Sequence, residues 1–75
     1  MTLAQLKIGE DAIVRRIDGQ DDAVVRLMEM GLTPGVTVHV NGTAPLGDPL
    51  HLTVRGYNLS IRKDEAARIE VERLS

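Results

Sequence analysis

A chain of 75 residues without cysteine has room for one small hydrophobic core and cannot stabilise it with disulfides or a thiolate metal site. Tyr57 is the single aromatic residue, so the core must be built from Leu, Ile, Val and Met. A net charge of −2 argues against binding to nucleic acid, no apolar run is long enough to span a membrane, and the N-terminus does not resemble a signal peptide. We therefore expect a single cytoplasmic domain over residues 1–75, without membrane insertion.

The N-terminal residues predict an apolar arm followed by a strand. Leu3, Leu6 and Ile8 form the arm, which we expect to lie across one end of the fold. Residues 12–17 are rich in β-branched side chains, as is typical of a strand. The apolar positions of this strand change parity, which predicts either a bulge or a strand that is partly covered on both faces.

A helix is predicted next, ending near Met30. Asp21 or Asp22 can cap its first turn. At 3.6 residues per turn, one face of this helix is apolar and is assigned to the core; it consists of Ala23, Val24, Leu27 and Met30. Val25 and Met28 fall outside that face, so we expect them to be only partly buried.

The helix must end and a strand must begin within about five residues. Gly31 is placed to adopt the left-handed conformation that ends a helix, because it lacks a Cβ. Pro34-Gly35 predicts a turn with proline at the first central position and glycine at the second. The run 36–40 then alternates apolar and polar residues, which predicts a strand.

The remaining sequence predicts three more strands, separated by turns. The predicted strands cover residues 50–54, 59–62 and 69–71, with a glycine- and proline-rich connection at 41–49 and a helical turn at 65–68 before the last strand. We therefore predict a mostly β fold of about five strands that curls into a small barrel, with one inserted α-helix and a short helical turn before the last strand.

Several motifs of this chain resemble those of the FeoA family. They are Arg26-Leu27-x-x-Met30-Gly31-Leu32-x-Pro34-Gly35, Pro45-Leu46-Gly47-Asp48-Pro49, Val54-Arg55-Gly56-Tyr57, Leu59-x-Ile61-Arg62 and Glu65-Ala66. The resemblance implies an SH3-like β-barrel that acts as a cytosolic accessory of bacterial ferrous-iron transport. Its implied partner is the membrane transporter that carries a cytosolic GTPase domain. Similar domains also form the C-terminal part of metal-dependent repressors, but no helix-turn-helix precedes the predicted barrel, so we expect no DNA binding.

The two histidines raise the alternative of a metal-responsive domain. If Val38 pairs with Leu52 in an antiparallel ladder, then His39 lies opposite His51 on the outer face, with Cβ atoms about 5 Å apart. Two imidazoles could provide half of a weak transition-metal site, which a carboxylate such as Asp48 would complete. The other interpretation is that both histidines are solvated and that a register shifted by two residues separates them.

Catalysis is not expected from this sequence, and no bound cofactor is expected. No serine lies on a glycine elbow, and none of the glycine spacings that cradle phosphate occurs. A polyproline groove needs several aromatic residues, whereas this chain has Tyr57 alone. Protein–protein contact is the role that remains.

Two stretches and one hairpin are the candidates for that contact. The candidate residues are Met28, Leu32 and Pro34 after the helix, Pro45, Leu46 and Asp48 in the long connection, and Arg55 and Tyr57 at the hairpin. For the first group, the alternative is that all three side chains pack the helix onto the barrel. Exposed edge strands of the barrel could also pair between copies of the chain, so a homo-oligomer is possible.

Overall fold

The structure, a computed structural model, describes residues 1–74. Its strands and helices, in chain order, are β1 (Asp11–Ile17), α1 (Asp22–Glu29), β2 (Thr37–Thr43), β3 (Leu50–Val54), β4 (Tyr57–Ile61), α2 (Lys63–Ala66) and β5 (Ile69–Leu74). Short 3-10 turns at Leu3–Gln5 and Pro45–Gly47 complete the list. The predicted class is confirmed: five strands, one helix inserted after the first, and a short helix before the last.

All five strands belong to one antiparallel sheet with the order β4-β3-β2-β1-β5. The ladder between β1 and β5 shifts register between Val14 and Arg16, which is the bulge that the parity change in β1 predicted. A second shift, between Val40 and Gly42, interrupts the ladder between β2 and β3. The alternation of residues along β2 does not predict this second bulge, which affects the outer face of the sheet.

The core consists of aliphatic side chains, as the lack of aromatic residues requires. Val24 and Leu27 of α1 are buried, Ala23 and Met30 are half-buried, and Val25 and Met28 are exposed, so the predicted core face of the helix is confirmed. The N-terminal arm covers one end of this core through Leu3 and Leu6, and its 3-10 turn packs against α2 and β5. Ile8, which we also placed in the arm, is exposed.

The end of α1 is closed by a Schellman motif. Gly31 has a φ of +105°, its N–H donates to the carbonyl of Met28 at 3.0 Å, and the N–H of Leu32 donates to the carbonyl of Leu27 at 3.1 Å. Leu27 and Leu32 are both completely buried, which supplies the hydrophobic contact that usually accompanies this motif.

A tight turn then attaches the helix to the sheet. The N–H of Val36 donates to the carbonyl of Thr33 at 3.1 Å, and Gly35 has a φ of +93°, as the second central residue of a type II turn requires. The N–H of Gly35 donates to the carbonyl of Val14 at 2.7 Å, and the N–H of Val14 donates to the carbonyl of Val36 at 2.9 Å. These bonds fix the start of β2 against β1.

Asp21 occupies the N-cap position of α1, but its carboxylate makes no hydrogen bond to the first turn. The carboxylate instead accepts two bonds from the guanidinium of Arg68, at 2.7 and 3.2 Å. Nε of Arg68 donates to the carbonyl of Asp18, and the guanidinium lies where a Cβ on Gly19 would be. This cluster joins the β1–α1 turn to the residue that precedes β5, so the capping role predicted for the Asp21 side chain is wrong.

We predict that Gly31→Ala destabilises the fold by about 1–2 kcal/mol, because an alanine in the left-handed region is strained. A Cβ at this position would lie 3.7 Å from Val54, which is ordinary contact, so the loss is conformational rather than steric. The matched control is Gly42→Ala, whose φ lies outside that region and whose Cβ would meet nothing within 4 Å. Urea unfolding of both variants measures the difference; equal stabilities would contradict this account of the helix end.

The stability of the fold should depend on pH through the carboxylate of Asp21. The hydrogen bond from Arg68 holds the pKa of Asp21 below its usual value of 3.8. A depressed pKa means that the ionised carboxylate stabilises the folded state above this value, and that the contribution is lost as the pH falls through the folded pKa. Asp21→Asn should therefore be less stable than the wild type near neutral pH and equal to it in strong acid.

The control for this experiment is Asp22→Asn. This variant removes a neighbouring charge from the same helix end, but the carboxylate that it replaces accepts no bond from Arg68. Urea unfolding curves recorded from neutral to acidic pH provide the comparison. A stability difference for Asp21→Asn that persists in strong acid, below the depressed pKa of the folded state, would contradict the assignment.

Candidate functional site

The predicted contact residues lie at the two ends of β2. The turn at 33–36 leads into this strand and the connection at 44–49 leaves it, so its seven residues separate the two groups by about 20 Å. The β3–β4 turn lies at the first end, because Val54 pairs with Val38 near the start of β2. The candidates therefore form two surfaces rather than one.

The first surface, which we call the helix-end surface, consists of Met28, Pro34, Arg55 and Tyr57. Met28 is 42% exposed and Tyr57 is 75% exposed, and Pro34 and Arg55 are also exposed. A guanidinium nitrogen of Arg55 lies 3.4 Å from the hydroxyl oxygen of Thr33, so the hairpin and the helix-end turn touch. These four side chains are available to a partner.

Leu32 is not available, and including it among the contact residues was wrong. Its side chain is completely buried and packs in the core. The reason is the Schellman motif, which turns the residue after Gly31 back toward the helix and onto Leu27. For this residue, the alternative interpretation of core packing holds.

The second surface, which we call the 44–49 loop, presents Leu46 at its tip. This leucine is fully exposed and has a φ of +76°, in the left-handed region that side chains with a Cβ rarely adopt. Pro45 precedes it, and Gly47 follows it with a φ of +85°. Leu46 therefore combines exposed apolar area with backbone strain.

The loop is well anchored on both sides of this leucine. The N–H of Gly47 donates to the carbonyl of Ala44 at 2.9 Å, and the N–H of Ala44 donates to the carbonyl of Pro49 at 3.0 Å. The carboxylate of Asp48 accepts a bond of 3.0 Å from the backbone N–H of Lys63, at the start of α2. Asp48 thus positions the loop against α2, and the loop holds Leu46 in a defined place.

Nothing in the fold requires a leucine at this position. The side chain contacts no core residue that could offset the cost of its backbone conformation, and glycine or asparagine would adopt the same conformation at lower cost. Residues held in strained conformations cluster at sites of function. Leu46 is the strongest single indication of a contact site in the described residues.

Of the two registers considered for the histidines, the structure has the one shifted by two residues, and the register that would place them opposite each other is wrong. Val38 pairs with Val54 rather than with Leu52, a shift of two residues from the prediction. His39 therefore lies opposite Thr53, and His51 lies opposite Gly42, beyond the bulge. The alternation of side chains does not distinguish registers that differ by two residues, and it does not predict the bulge.

Each histidine instead has its own partner on the outer face. Nδ1 of His39 lies 2.6 Å from a carboxylate oxygen of Asp11, and Nδ1 of His51 lies 2.8 Å from the hydroxyl oxygen of Ser60. Within residues 1–74, no three His, Cys, Asp or Glu side chains come together as a metal site. In these contacts the two imidazoles have different partners and do not share a site. A metal role for His39 and His51 therefore stays a prediction.

A model of the FeoA domain family matches residues 1–73. This chain belongs to the FeoA domain family. The resemblance drawn from the motifs is thereby confirmed, and the chain is a member of a family connected with ferrous-iron transport. No helix within residues 1–74 has both the length and the apolar character needed to cross a membrane.

Individual relatives agree with this membership. The chain is 40% identical over all 75 of its residues to a Porphyromonas gingivalis protein described as an Fe(2+) transport protein A/Fe(2+) transporter FeoB fusion protein. It spans only 9% of the length of that fusion protein. It is also similar to the solution structure of a FeoA-like protein from Clostridium acetobutylicum, with 37% identity, a TM-score of 0.93, and coverage of 100% of this chain and 87% of the other.

The chain is also similar to a FeoA structure whose fold class is stated. The crystal structure of Stenotrophomonas maltophilia FeoA complexed with zinc is 30% identical to this chain, has a TM-score of 0.83, and covers 96% of this chain and 89% of its own. That protein is described as a procaryotic SH3 domain protein. The predicted SH3-like fold of this FeoA domain is therefore confirmed.

We predict that Leu46→Asn stabilises this FeoA domain by about 1 kcal/mol, because asparagine tolerates the left-handed conformation and no packing is lost. In a domain of this size, such a change raises the melting temperature by roughly 4–8 °C. Thermal unfolding followed by circular dichroism measures it. A clear loss of stability would show that Leu46 serves the fold and would remove the argument for a contact role.

Proposed function

We propose that this FeoA domain is an accessory protein of ferrous-iron transport that binds the cytosolic side of a FeoB-type Fe(2+) transporter. The observation that carries the proposal is the fusion protein of Porphyromonas gingivalis, in which a region 40% identical to this whole chain shares one polypeptide with FeoB. Covalent linkage holds two modules at a high effective concentration, an arrangement suited to modules that contact each other. The proposed role is binding rather than catalysis, and it takes place in the cytoplasm.

The 44–49 loop is the contact that we propose for this binding. Its apolar tip, Leu46, offers a side chain that can insert into a pocket of the partner, and insertion would remove its entire surface from water. Pro45 and the bonds at Ala44, Gly47 and Asp48 fix the loop before binding. A loop that is already ordered loses little conformational entropy when it docks.

The helix-end surface is the competing location. Met28 and Val25 lie three residues apart on α1, so their exposed side chains are neighbours on the helix surface. Pro34 and Arg55 extend this area toward the hairpin. The helix-end surface is less exposed per residue than Leu46, and the positive φ of Arg55 is the conformation that its two-residue hairpin turn requires. For these reasons we place the contact at the loop.

Binding to the purified full-length transporter in nanodiscs tests the proposal. We predict that Leu46→Asn weakens the affinity at least roughly tenfold, as expected when the central apolar anchor of a small interface is removed. The matched control is Val25→Asn, in which asparagine likewise replaces an exposed aliphatic side chain, here on α1. This variant should bind like the wild type. Biolayer interferometry against nanodiscs with and without the transporter measures the affinity of each variant.

The outcomes of this experiment separate the two surfaces. If Met28→Asn and Val25→Asn weaken binding while Leu46→Asn does not, the helix-end surface is the contact and the assignment to the loop is wrong. If the wild type does not bind the transporter at all, the proposed function itself fails. Because Leu46→Asn is expected to stabilise the fold, weaker binding by this variant cannot be attributed to unfolding.

A further inference from the structure

One edge of the sheet, strand β4, carries backbone groups that nothing in residues 1–74 pairs with. The β3–β4 hairpin has two turn residues, Arg55 and Gly56, with φ values of +52° and +82°, as in a type I′ turn. In such a hairpin the flanking residues, Val54 and Tyr57, exchange hydrogen bonds, and the pattern alternates from there. Residues 58 and 60 therefore direct their N–H and C=O groups away from β3.

The opposite edge, strand β5, is covered at residues 70 and 71 by the N-terminal segment. The N–H of Val71 donates to the carbonyl of Met1 at 2.9 Å, and Thr2 forms a bridge with Glu70. The N-terminal ammonium group lies 3.0 Å from the carboxylate of Glu70. Charged side chains also follow along β5, at Glu72 and Arg73. Coverage and charge are the devices by which proteins prevent pairing at a sheet edge.

Strand β4 has neither device. The segment 56–61 contains no charged residue and no proline. Its inward face carries Tyr57, Leu59 and Ile61, of which Tyr57 is exposed, Leu59 is half-buried and packed against the core, and Ile61 is buried. Its outward face carries the polar Asn58 and Ser60. The strand is therefore symmetric in character about Leu59.

We propose that two copies of this chain pair through β4, antiparallel and centred on Leu59. In this register, Asn58 of each copy lies opposite the second copy's Ser60, and each of these two pairs exchanges two backbone hydrogen bonds. Leu59 lies opposite Leu59 of the second copy at a site without hydrogen bonds, where side chains approach most closely. All four outward groups of each strand are then satisfied.

The side chains fit the same register. Tyr57 lies opposite the second copy's Ile61, so the two inward faces form one apolar strip across the junction. This gives the exposed ring of Tyr57 an apolar neighbour and covers the open side of Leu59. No like charges meet across the strands, because the segment has none. A second copy therefore fits this edge through both its backbone and its side chains.

The covered edge explains why pairing stops at two. Joining β4 of one copy to β5 of the next would propagate into a filament, but Met1 and Thr2 occupy the first half of that edge and the charged Glu72 and Arg73 follow. A β4–β4 pair uses both free edges and closes with two-fold symmetry. Pairing two such short strands buries less surface area than a standard stable interface does. The dimer is therefore weak and reversible.

Introducing charged residues at position 59 tests the dimer directly, with no transporter present. Leu59→Lys and Leu59→Glu each place like charges opposite each other across the pair and should weaken dimerisation roughly tenfold or more. An equimolar mixture of the two variants should restore the dimer, because lysine then faces glutamate. The measurement is the translational diffusion coefficient by NMR over a range of concentrations up to millimolar chain. Leu74→Lys, a leucine-to-lysine change on β5, is the control and should dimerise like the wild type.

Two further variants address the backbone. Ser60→Pro removes the outward N–H of residue 60 without breaking a bond to β3, so it should abolish dimerisation in a folded chain. Ser60→Ala removes the bond to His51 but keeps that N–H, and should leave the dimer intact. A wild type that stays monomeric at the highest concentration, a dimer that survives Ser60→Pro, or a mixture of the charged variants that stays monomeric would each overturn the proposal.

Discussion

The left-handed conformation of Gly31 is the constraint on which much of the remaining fold depends. It ends α1, turns Leu32 back onto Leu27, and delivers the chain to a type II turn whose bonds to Val14 fix the start of β2. Because β2 lies at the centre of the sheet, its start determines how β1 and β3 pair with it. The hydrogen bonds at the helix end thus position both candidate surfaces, one at each end of β2.

Leu32 and Leu46 show how the same side chain serves opposite purposes in this fold. Leu32 follows a glycine that directs it inward, and it is completely buried. Leu46 adopts the strained conformation itself, and its side chain is directed into solvent by a loop that Asp48 attaches to α2. The burial of Leu32 stabilises the folded state, which explains why a leucine occupies that position. The second contributes nothing to the core, so the proposed function assigns it to a partner.

Local patterns predicted most of the fold. The parity change in β1 indicated its bulge, the 3.6-residue period indicated the buried face of α1, and the order of glycine and proline indicated the turn at 33–36. The missed features depend on contacts between residues distant in sequence. The pairing of Asp21 with Arg68 joins residues 47 apart, and β2 pairs with β3 two residues away from the histidine register already at Val38, before the bulge. The positive φ of Leu46 was missed for a related reason. The strain is imposed by a loop that is anchored at other residues, so the identity of residue 46 does not predict it.

The location of the contact on this FeoA domain is the central claim, and amide NMR tests it most directly. A labelled sample titrated with substoichiometric transporter in nanodiscs, against empty nanodiscs, reports which residues meet the partner. We predict that the amide signals of Ala44 and of residues 46–48 broaden first and most strongly. Broadening centred on Met28 and the 33–35 turn, with the loop signals unchanged, would contradict it.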